Sequence, residues 1–276
     1  MNPQFKSSQT SQVDFEEIQF FNDKHYFNGV DWYFSRFPFD ENQVKGINDG
    51  DSTNSDGPIF YFDKSATYFD DPKVPKRANN LMPEARIVIL LVDPADRAYS
   101  WYQHIKAHGD KTANSLTFEQ IIASSDDDPK TDRAVRALRN RCLHPGYYAK
   151  HLSAWLEFYP PRQIIIIDGQ WFKYNPASVM NRLQLILRVD KPLDYHKLLV
   201  YDERKGFFCE RGELNQGPKC LGSSKGRRYP PMSREARKFL NQHYWPHNWQ
   251  LARILSDIGQ PLPSWMDTNY VNSVIY

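Results

Sequence analysis

Short apolar runs separated by polar turns predict the strands of this protein. Residues 86–92 contain Ile-Val-Ile-Leu-Leu, and residues 163–168 contain four consecutive isoleucines. Continuous runs of this kind are typical of parallel strands that helices cover on both faces. Residues 59–62 form a third short apolar run. Because these runs alternate with helical patterns, the sequence predicts an α/β fold with a mostly parallel sheet.

Apolar positions that recur every three or four residues predict the helices. The same spacing occurs within the aromatic segment 15–39, whereas residues 201–229 show no regular pattern and are expected to be irregular and basic. Further helices are predicted over residues 75–82, 115–125 with Thr117 as the N-terminal cap, 147–159, 176–187 and 233–259 with a break near Pro246, and one more helix starts over 134–139. Another helix begins after the strand over 86–92 and continues over 101–108.

The composition of the chain fits one sizeable core. The chain has 276 residues, of which 40% are hydrophobic, and its formal net charge is +2. This small net charge indicates no nucleic-acid partner. Locally, residues 204–228 hold seven Lys or Arg against two Glu, which makes either a solvated loop or a surface for a polyanion or a phosphorylated ligand. The sequence contains no run of 18 apolar residues, so it encodes no transmembrane helix. Residues 1–12 lack the apolar core of a signal peptide.

Three cysteines stand at positions 142, 209 and 220. Cys209 and Cys220 flank a short loop, and a bridge between them would contribute about 3 kcal/mol by loop-closure entropy. Two free thiols are the alternative, which is the usual state in a cytosolic chain.

The densest chemical signal lies where the strand over 86–92 ends. A Pro-containing turn follows, and then a helix that carries Arg97, Ser100 and His104. Helices that begin beyond the carboxyl end of a strand are natural anion sites, because free N–H groups and the helix dipole face the ligand. Ser100 and His104 are four residues apart and share one helix face. The alternative for Ser100 is a hydroxyl bonded to the backbone near the helix start.

Several motifs together resemble the sulfotransferases, and specifically the N-sulfotransferase domain of the heparan sulfate N-deacetylase/N-sulfotransferase family. They occur in the same order as in that family, and the similarity extends over residues 14–266. The motifs are Phe15-Glu16-Glu17-Ile18-Gln19-Phe20-Phe21-Asn22, Tyr61-Phe62-Asp63-Lys64-Ser65-Ala66, Val92-Asp93-Pro94-Ala95-Asp96-Arg97-Ala98-Tyr99-Ser100-Trp101-Tyr102-Gln103-His104, Asn140-Arg141-Cys142-Leu143, Asp194-Tyr195-His196-Lys197 and Cys220-Leu221-Gly222-Ser223-Ser224-Lys225-Gly226-Arg227.

The resemblance implies an α/β, P-loop-NTPase-like sulfotransferase fold with a mostly parallel central sheet flanked by helices. It implies a sulfotransferase domain over residues 14–266, in which residues 40–58 are a surface loop insertion. Residues 1–13 are expected to be a disordered N-terminal segment and residues 267–276 a C-terminal tail.

The implied activity is transfer of the sulfuryl group from 3′-phosphoadenosine 5′-phosphosulfate to the amine of N-deacetylated glucosamine. The implied partner is heparan sulfate or heparosan. Family members work in the Golgi lumen as membrane-anchored proteins, which implies the same compartment here. Sulfuryl transfer requires no metal, and no metal site has convincing ligand spacing in the sequence.

Each role implied by the resemblance maps onto a residue of this chain. Glu16 is the candidate general base for the glucosamine amine, although Glu17 stands beside it and the sequence does not choose between them. Lys64 is the candidate for contact with the acceptor or the transferred sulfonate, and His104 for acceptor contact or help with the proton transfer. The other candidates are Ser100 and Arg97 for the 3′-phosphate of the nucleotide, and Lys225, Gly226, Arg227, Arg228 and Tyr229 for a second phosphate contact.

The resemblance also implies a disulfide between Cys209 and Cys220, which leaves Cys142 unpaired and buried. A disulfide indicates an oxidising compartment, in agreement with the Golgi and in conflict with the lack of a signal sequence.

The chain departs from the sulfotransferase pattern in two places. Many sulfotransferases carry an Arg eight residues before the Ser that Ser100 matches, and here that position is Val92. The chain also contains no Lys-Thr-Gly-Thr-Thr type loop, and residues 2–8 resemble the segment that follows this loop in the family. We therefore expect an N-terminally truncated chain whose sheet lacks the first strand and the phosphosulfate loop.

Two other functions remain open from the sequence. One is a non-catalytic homologue that binds heparan-like chains through the basic segment. The other is a generic P-loop nucleotide-binding or kinase-like domain, against which the lack of a Gly-x-x-x-x-Gly-Lys-Ser/Thr motif argues.

Overall fold

A computed structural model describes residues 2–8, 17–39, 58–125, 129–212, 217–222, 226 and 229–266. The chain divides into two compact units, one formed by residues 1–81 and 175–220 and the other by residues 82–174 and 221–276. Within the described ranges no helix is long and apolar enough to cross a membrane.

The first unit contains two short sheets and four described α-helices. Strand β1 runs parallel to β2, and β5 runs antiparallel to β6. The elements are β1 (Phe5–Ser7), α1 (Gly29–Phe34), β2 (Phe60–Phe62), α2 (Val74–Leu81), α9 (Pro176–Leu187), α10 (Tyr195–Leu198), β5 (Leu199–Asp202) and β6 (Phe207–Glu210).

The second unit contains one parallel pair of strands among seven described α-helices. Its elements are β3 (Ile87–Leu91), α3 (Pro94–Ala107), α4 (Lys111–Ser115), α5 (Phe118–Ala123), α6 (Arg133–Leu143), α7 (Tyr148–Leu156), β4 (Ile164–Asp168), α8 (Gly169–Tyr174) and α11 (Arg234–Asp257).

The pairing of β3 with β4 confirms the predicted parallel sheet, in register from Ile87 opposite Ile164. In β4 the first three isoleucines are buried, as a strand covered on both faces requires. Strand β3 differs from the prediction, because Val88 and Leu90 are 45% and 50% exposed. These two residues lie on the face of β3 opposite Ile89, and that face is exposed at both positions. The described strands form three two-stranded sheets and not one continuous sheet.

One apolar core joins five helices of the second unit. Successive turns of α3 bury Ala98 and Tyr102 against Phe118 of α5, Leu138 of α6 and Leu240 of α11. These residues are at most 4% exposed. The core therefore fixes the face of α3 that points inward, and the opposite face remains available for a site.

The N-terminal segment is a correction to the sequence analysis. Residues 1–13 were expected to be disordered, but β1 forms within them and pairs with β2. Asn2 and Gln4 are buried, and the Asn2 amide donates to the Gln184 side chain at 3.2 Å and to the Lys191 carbonyl at 3.0 Å. These hydrogen bonds satisfy the buried polar side chains and hold residues 2–8 in place.

In the described part of the aromatic segment, residues 17–39, the α-helix is confined to α1, which one 3-10 turn at Tyr26–Asn28 precedes. At Gln19 the backbone has φ of +49°, which interrupts a helix. The backbone N–H groups of Phe20 and Phe21 donate to the hydroxyl of Tyr68, at 2.6 and 3.3 Å. Side chains thus take the hydrogen bonds that a helix would make.

The basic segment over 201–229 is also more regular than predicted, because β5 and β6 form a hairpin that turns at Gly206 with φ of +78°. The hairpin holds the cysteine pair, since Cys209 on β6 is joined to Cys220. Cys142 is free and buried. The expected loop over 40–58, except Pro58, and the expected tail over 267–276 lie outside the described residues.

The long C-terminal helix is continuous through Pro246, where we expected a break. Proline removes one N–H donor and normally bends or ends a helix. Here Tyr244 and Leu251 on either side are buried in the unit, so packing of the helix face keeps both halves in one helix. The start at Arg234 and the Ser233 cap agree with the predicted beginning of this helix.

Candidate active site

An open cavity of about 1130 Å³ lies within the second unit, between α3, α8 and the first turns of α11. Four of the residues proposed from the sequence line it, namely Arg97, Ser100, His104 and Tyr229. The cavity therefore brings together residues from two separate motifs.

The start of α3 follows directly from β3. Asp93 caps the helix, and its side chain accepts a hydrogen bond from the Ala95 N–H at 2.8 Å, while the Arg97 N–H donates to the Asp93 carbonyl at 2.9 Å. The protein's own carboxylate thus occupies the helix terminus that the sequence suggested as an anion site. Ser100 lies in the second turn and is exposed, so the helix dipole does not act on it directly.

Arg237 of α11 links its helix to the first turn of α3. Its Nη1 donates to Asp93 Oδ2 at 2.9 Å, and its Nη2 donates to Asp96 Oδ1. Burial raises the pKa of Asp93, and the neighbouring charge of Asp96 adds to this effect. The sequence analysis missed Arg237, because no local pattern indicates a contact between residues 141 or more positions apart.

Arg97 has a structural contact besides its place in the cavity wall. Its Nη2 donates to the backbone carbonyl of Cys142 at the end of α6. Its Nε is buried without a hydrogen-bond partner among the described residues. The positive charge next to a helix C-terminus is favourable for α6. Part of the guanidinium is therefore engaged, and a phosphate contact by Arg97 stays a prediction.

His104 and Ser100 lie on the exposed side of α3. The His104 ring stacks on Trp101 with centroids 5.4 Å apart, and it lies 4.2 Å from the ring of His108. These ring contacts hold the imidazole beside the cavity. The structure confirms that the two predicted residues share one helix face, as both line the same cavity.

The segment before α11 forms one wall of the cavity. The Tyr229 ring packs edge-on against Tyr99 with centroids 5.6 Å apart, and the Tyr99 hydroxyl donates to the Pro230 carbonyl at 2.9 Å. Gly226 adopts φ of +63°, a conformation that glycine takes without strain. The other predicted residues of this motif, Lys225, Arg227 and Arg228, lie outside the described residues.

The first unit holds the other predicted catalytic residues. Lys64 Nζ donates to Glu17 Oε1 at 3.1 Å, and the Ala66 N–H donates to Glu17 Oε2 at 3.2 Å. The side chain of Glu17 is 17% exposed, while that of Lys64 is 60% exposed. Glu16 lies outside the described residues. The structure thus joins Lys64 to the glutamate that the sequence analysis placed second.

A hydrogen-bonded network lies behind this ion pair. Asp63 accepts from the Ser65 hydroxyl at 3.0 Å and from the Tyr68 hydroxyl at 2.9 Å. Ser65 in turn accepts from the N–H of Gln19 at 3.1 Å. Burial raises the pKa of Asp63. These bonds hold the backbone of Gln19 in its strained conformation with positive φ. They thereby also fix the chain next to Glu17.

The walls of the cavity are strongly basic. They carry five Lys or Arg side chains and one carboxylate, that of Asp96, which is paired to Arg237. Such a cavity suits an anionic ligand. The sequence analysis missed four of the five basic residues, because α8 and α11 are far apart in the sequence. These four are Arg237, described above, and Lys173, Arg234 and Lys238.

One group of side chains in the described residues has metal-ligating atoms close together, namely Asp202, Cys209 and Cys220. The two cysteines are bonded to each other, and a disulfide sulfur is not the thiolate that binds metals. We assign no metal to this group.

Comparison with known proteins identifies the class. A family model described as the sulfotransferase domain matches residues 4–249, so this chain belongs to the sulfotransferase-domain family. A solved sulfotransferase from Alicyclobacillus acidocaldarius has a similar fold, with a TM-score of 0.55 and 18% identity, over 96% of this chain and 90% of that chain. The predicted α/β sulfotransferase fold is confirmed.

More similar relatives come from one branch of the family. A bifunctional heparan sulfate N-deacetylase/N-sulfotransferase of Drosophila melanogaster is 46% identical over 96% of this chain and 25% of that protein. The human bifunctional heparan sulfate N-deacetylase/N-sulfotransferase 2 is 47% identical over 96% of this chain and 28% of that protein. The chain thus spans about a quarter of the length of these relatives, and the resemblance seen in the motifs is confirmed.

Proposed function

We propose that this chain is a heparan sulfate glucosamine N-sulfotransferase. It would transfer the sulfuryl group of 3′-phosphoadenosine 5′-phosphosulfate to the amine of N-deacetylated glucosamine. The observation that carries the proposal is the 46–47% identity to relatives named for N-sulfotransfer over nearly the whole chain. The basic cavity beside Ser100 supports it independently.

The donor nucleotide fits the chemistry of the cavity, because phosphate groups bind where cationic side chains and hydroxyl donors converge. Ser100 supplies a hydroxyl, and Arg97 supplies positive charge beside it. We assign the second phosphate contact to the motif with Lys225, Gly226, Arg227, Arg228 and Tyr229, as the family resemblance implies. The nucleotide supplies the activated sulfuryl group, and no metal takes part in this proposal.

The acceptor amine must lose a proton when its nitrogen bonds to sulfur, so the site requires a base. We assign this base to Glu17, because its carboxylate contacts Lys64, which is another predicted residue of the catalytic site. Glu16 is the competing assignment. Lys64 would orient the acceptor or the sulfonate, and His104 would contact the acceptor.

The partner and the compartment follow from the same proposal. The acceptor is N-deacetylated heparosan or heparan sulfate, and heparan sulfate stands in the names of the relatives. The Golgi lumen is the proposed location, and the Cys209–Cys220 disulfide supports an oxidising compartment.

A second function is the non-catalytic homologue, and the observation that favours it is the basic segment over residues 204–228, with seven Lys or Arg against two Glu. Such a protein would hold heparan-like chains through this segment without transferring a group to them. This non-catalytic homologue would bind the polysaccharide in a strongly salt-dependent way and would not bind the nucleotide.

The test is a transfer assay with sulfur-labelled donor and N-deacetylated heparosan. We expect label on the polysaccharide, and we expect the label to disappear when the amines are acetylated beforehand. Equal labelling of the acetylated polymer would contradict N-transfer. Binding of the polymer without any transfer or nucleotide binding would support the non-catalytic homologue instead.

A further inference from the structure

We infer that one face of α11, together with the end of α8, binds the acidic groups of the acceptor polysaccharide. The residues are Lys173, Arg234 and Lys238, with the amide of Asn241 beside them. This inference rests on the proposed function, and it names the part of the cavity that holds the acceptor chain.

The three cations are available for a ligand. Each is exposed, and none of them forms an ion pair with a carboxylate in the described part of the chain. The one carboxylate in the cavity wall, that of Asp96, is paired to Arg237, and so is Asp93 at the start of α3. The positive charge on this face is therefore not neutralised by the cavity's own acids.

The positions of these charges are unfavourable for the helix itself. Arg234 is the first residue of the 24-residue α11, where the helix dipole disfavours a cation. Lys238 follows four residues later, and like charges at this spacing repel each other on one helix face. A helix that carries two unfavourable charges on the side that lines a cavity has the composition of a ligand site.

The spacing of these groups favours a chain of anions over a single phosphate. From Arg234 to Asn241 the face extends about 10 Å along the helix axis, at about 1.5 Å per residue. One phosphate is too small to contact all of these positions. A polysaccharide with a carboxylate on every second sugar contacts them in series, and Asn241 and Gln242 offer amides to its hydroxyls.

The test compares two double variants of the full chain that remove the same charge. Arg234→Gln with Lys238→Gln removes two cations from the cavity face. Lys150→Gln with Arg253→Gln removes two exposed cations of α7 and α11 that do not line the cavity. Each protein is titrated calorimetrically with an N-deacetylated heparosan octasaccharide at two salt concentrations, and separately with adenosine 3′,5′-bisphosphate.

We expect the cavity variant to bind the octasaccharide about tenfold more weakly and with a smaller salt dependence, since two close charge contacts are lost. We expect the control variant to match the unmodified chain. An equal loss in both variants, or no loss in the cavity variant, would overturn the inference. Nucleotide binding without octasaccharide binding by the unmodified chain would overturn it and leave the proposed nucleotide site standing, whereas binding of neither would overturn both.

Discussion

At the residue scale, the side chains of the candidate site also have structural contacts. Arg97 donates to the Cys142 carbonyl, and Glu17 accepts from the backbone of Ala66 as well as from Lys64. The sequence placed Ser100 and His104 on one face of a helix, because that spacing is local. It did not indicate the contacts of Arg97 or the choice of Glu17, because these depend on segments 45 and 47 residues away.

The assignment of the base gives a direct prediction. Glu17→Gln removes the proton acceptor and keeps the size of the side chain, so we expect the rate of sulfuryl transfer to fall about 100-fold. The affinity for adenosine 3′,5′-bisphosphate should stay the same. The pH profile of kcat/KM, measured on N-deacetylated heparosan, should lose its acidic limb.

Glu16→Gln is the competing variant in that comparison. A larger loss of rate in Glu16→Gln than in Glu17→Gln would assign the base to Glu16. Lys64→Met tests the same contact from the other side, since it leaves the Glu17 carboxylate without its cation.

His243 gives a prediction for stability in acid. Burial, with the charges of Arg139, His247 and His144, lowers its pKa to about 4. The folded protein thus favours the neutral ring, so this stability is present above the unfolded pKa of about 6.5 and is lost as the pH falls towards 4. Because this ring is only partly buried and solvent screens part of the effect, urea unfolding at pH 7 and pH 5 should show a loss of about 1 kcal/mol that His243→Gln does not share. The same loss in the variant would contradict this account.

At the element scale, the sequence predicted the helices that have clear capping residues and missed the strands that are short and only partly buried. Thr117 caps α5, as the sequence indicated, and the structure adds a reciprocal bond from the Thr117 backbone to Gln120. Helix α9 begins and ends at the predicted residues. The hairpin of β5 and β6 was missed, because each strand has only four residues and is only partly buried. Pro246 was misinterpreted, because local propensity does not include the packing of α11 in the unit.

The ion pairs between α3 and α11 predict a coupling between these elements. Arg237→Met leaves the partly buried carboxylate of Asp93 unpaired, so we expect the free energy of unfolding to fall by about 2 kcal/mol. Asp93→Asn keeps a helix cap and removes the charge. In a double-mutant cycle measured by urea unfolding, the two changes should be coupled by at least about 1 kcal/mol. Additive effects would show that the contact does not stabilise the start of α3.

At the scale of the whole molecule, the alternation of strands and helices was sufficient for the α/β class and for the parallel pairing of β3 with β4. The division of the chain into two units was not predicted, because each unit is built from segments distant in the sequence. The exposed face of β3 was also missed, since an apolar run does not reveal whether a covering element is present. Similarly, the basic cavity required the fold, which brings α3, α8 and α11 together.

The central claim is that the cavity beside Ser100 holds the nucleotide of a sulfotransferase. Its most direct test is a calorimetric titration of the full chain and of Ser100→Ala with adenosine 3′,5′-bisphosphate. We predict that the unmodified chain binds and that the variant binds about tenfold more weakly, because one hydrogen bond to a charged phosphate is lost. A folded chain that does not bind the nucleotide, or equal affinity in both proteins, would contradict the claim.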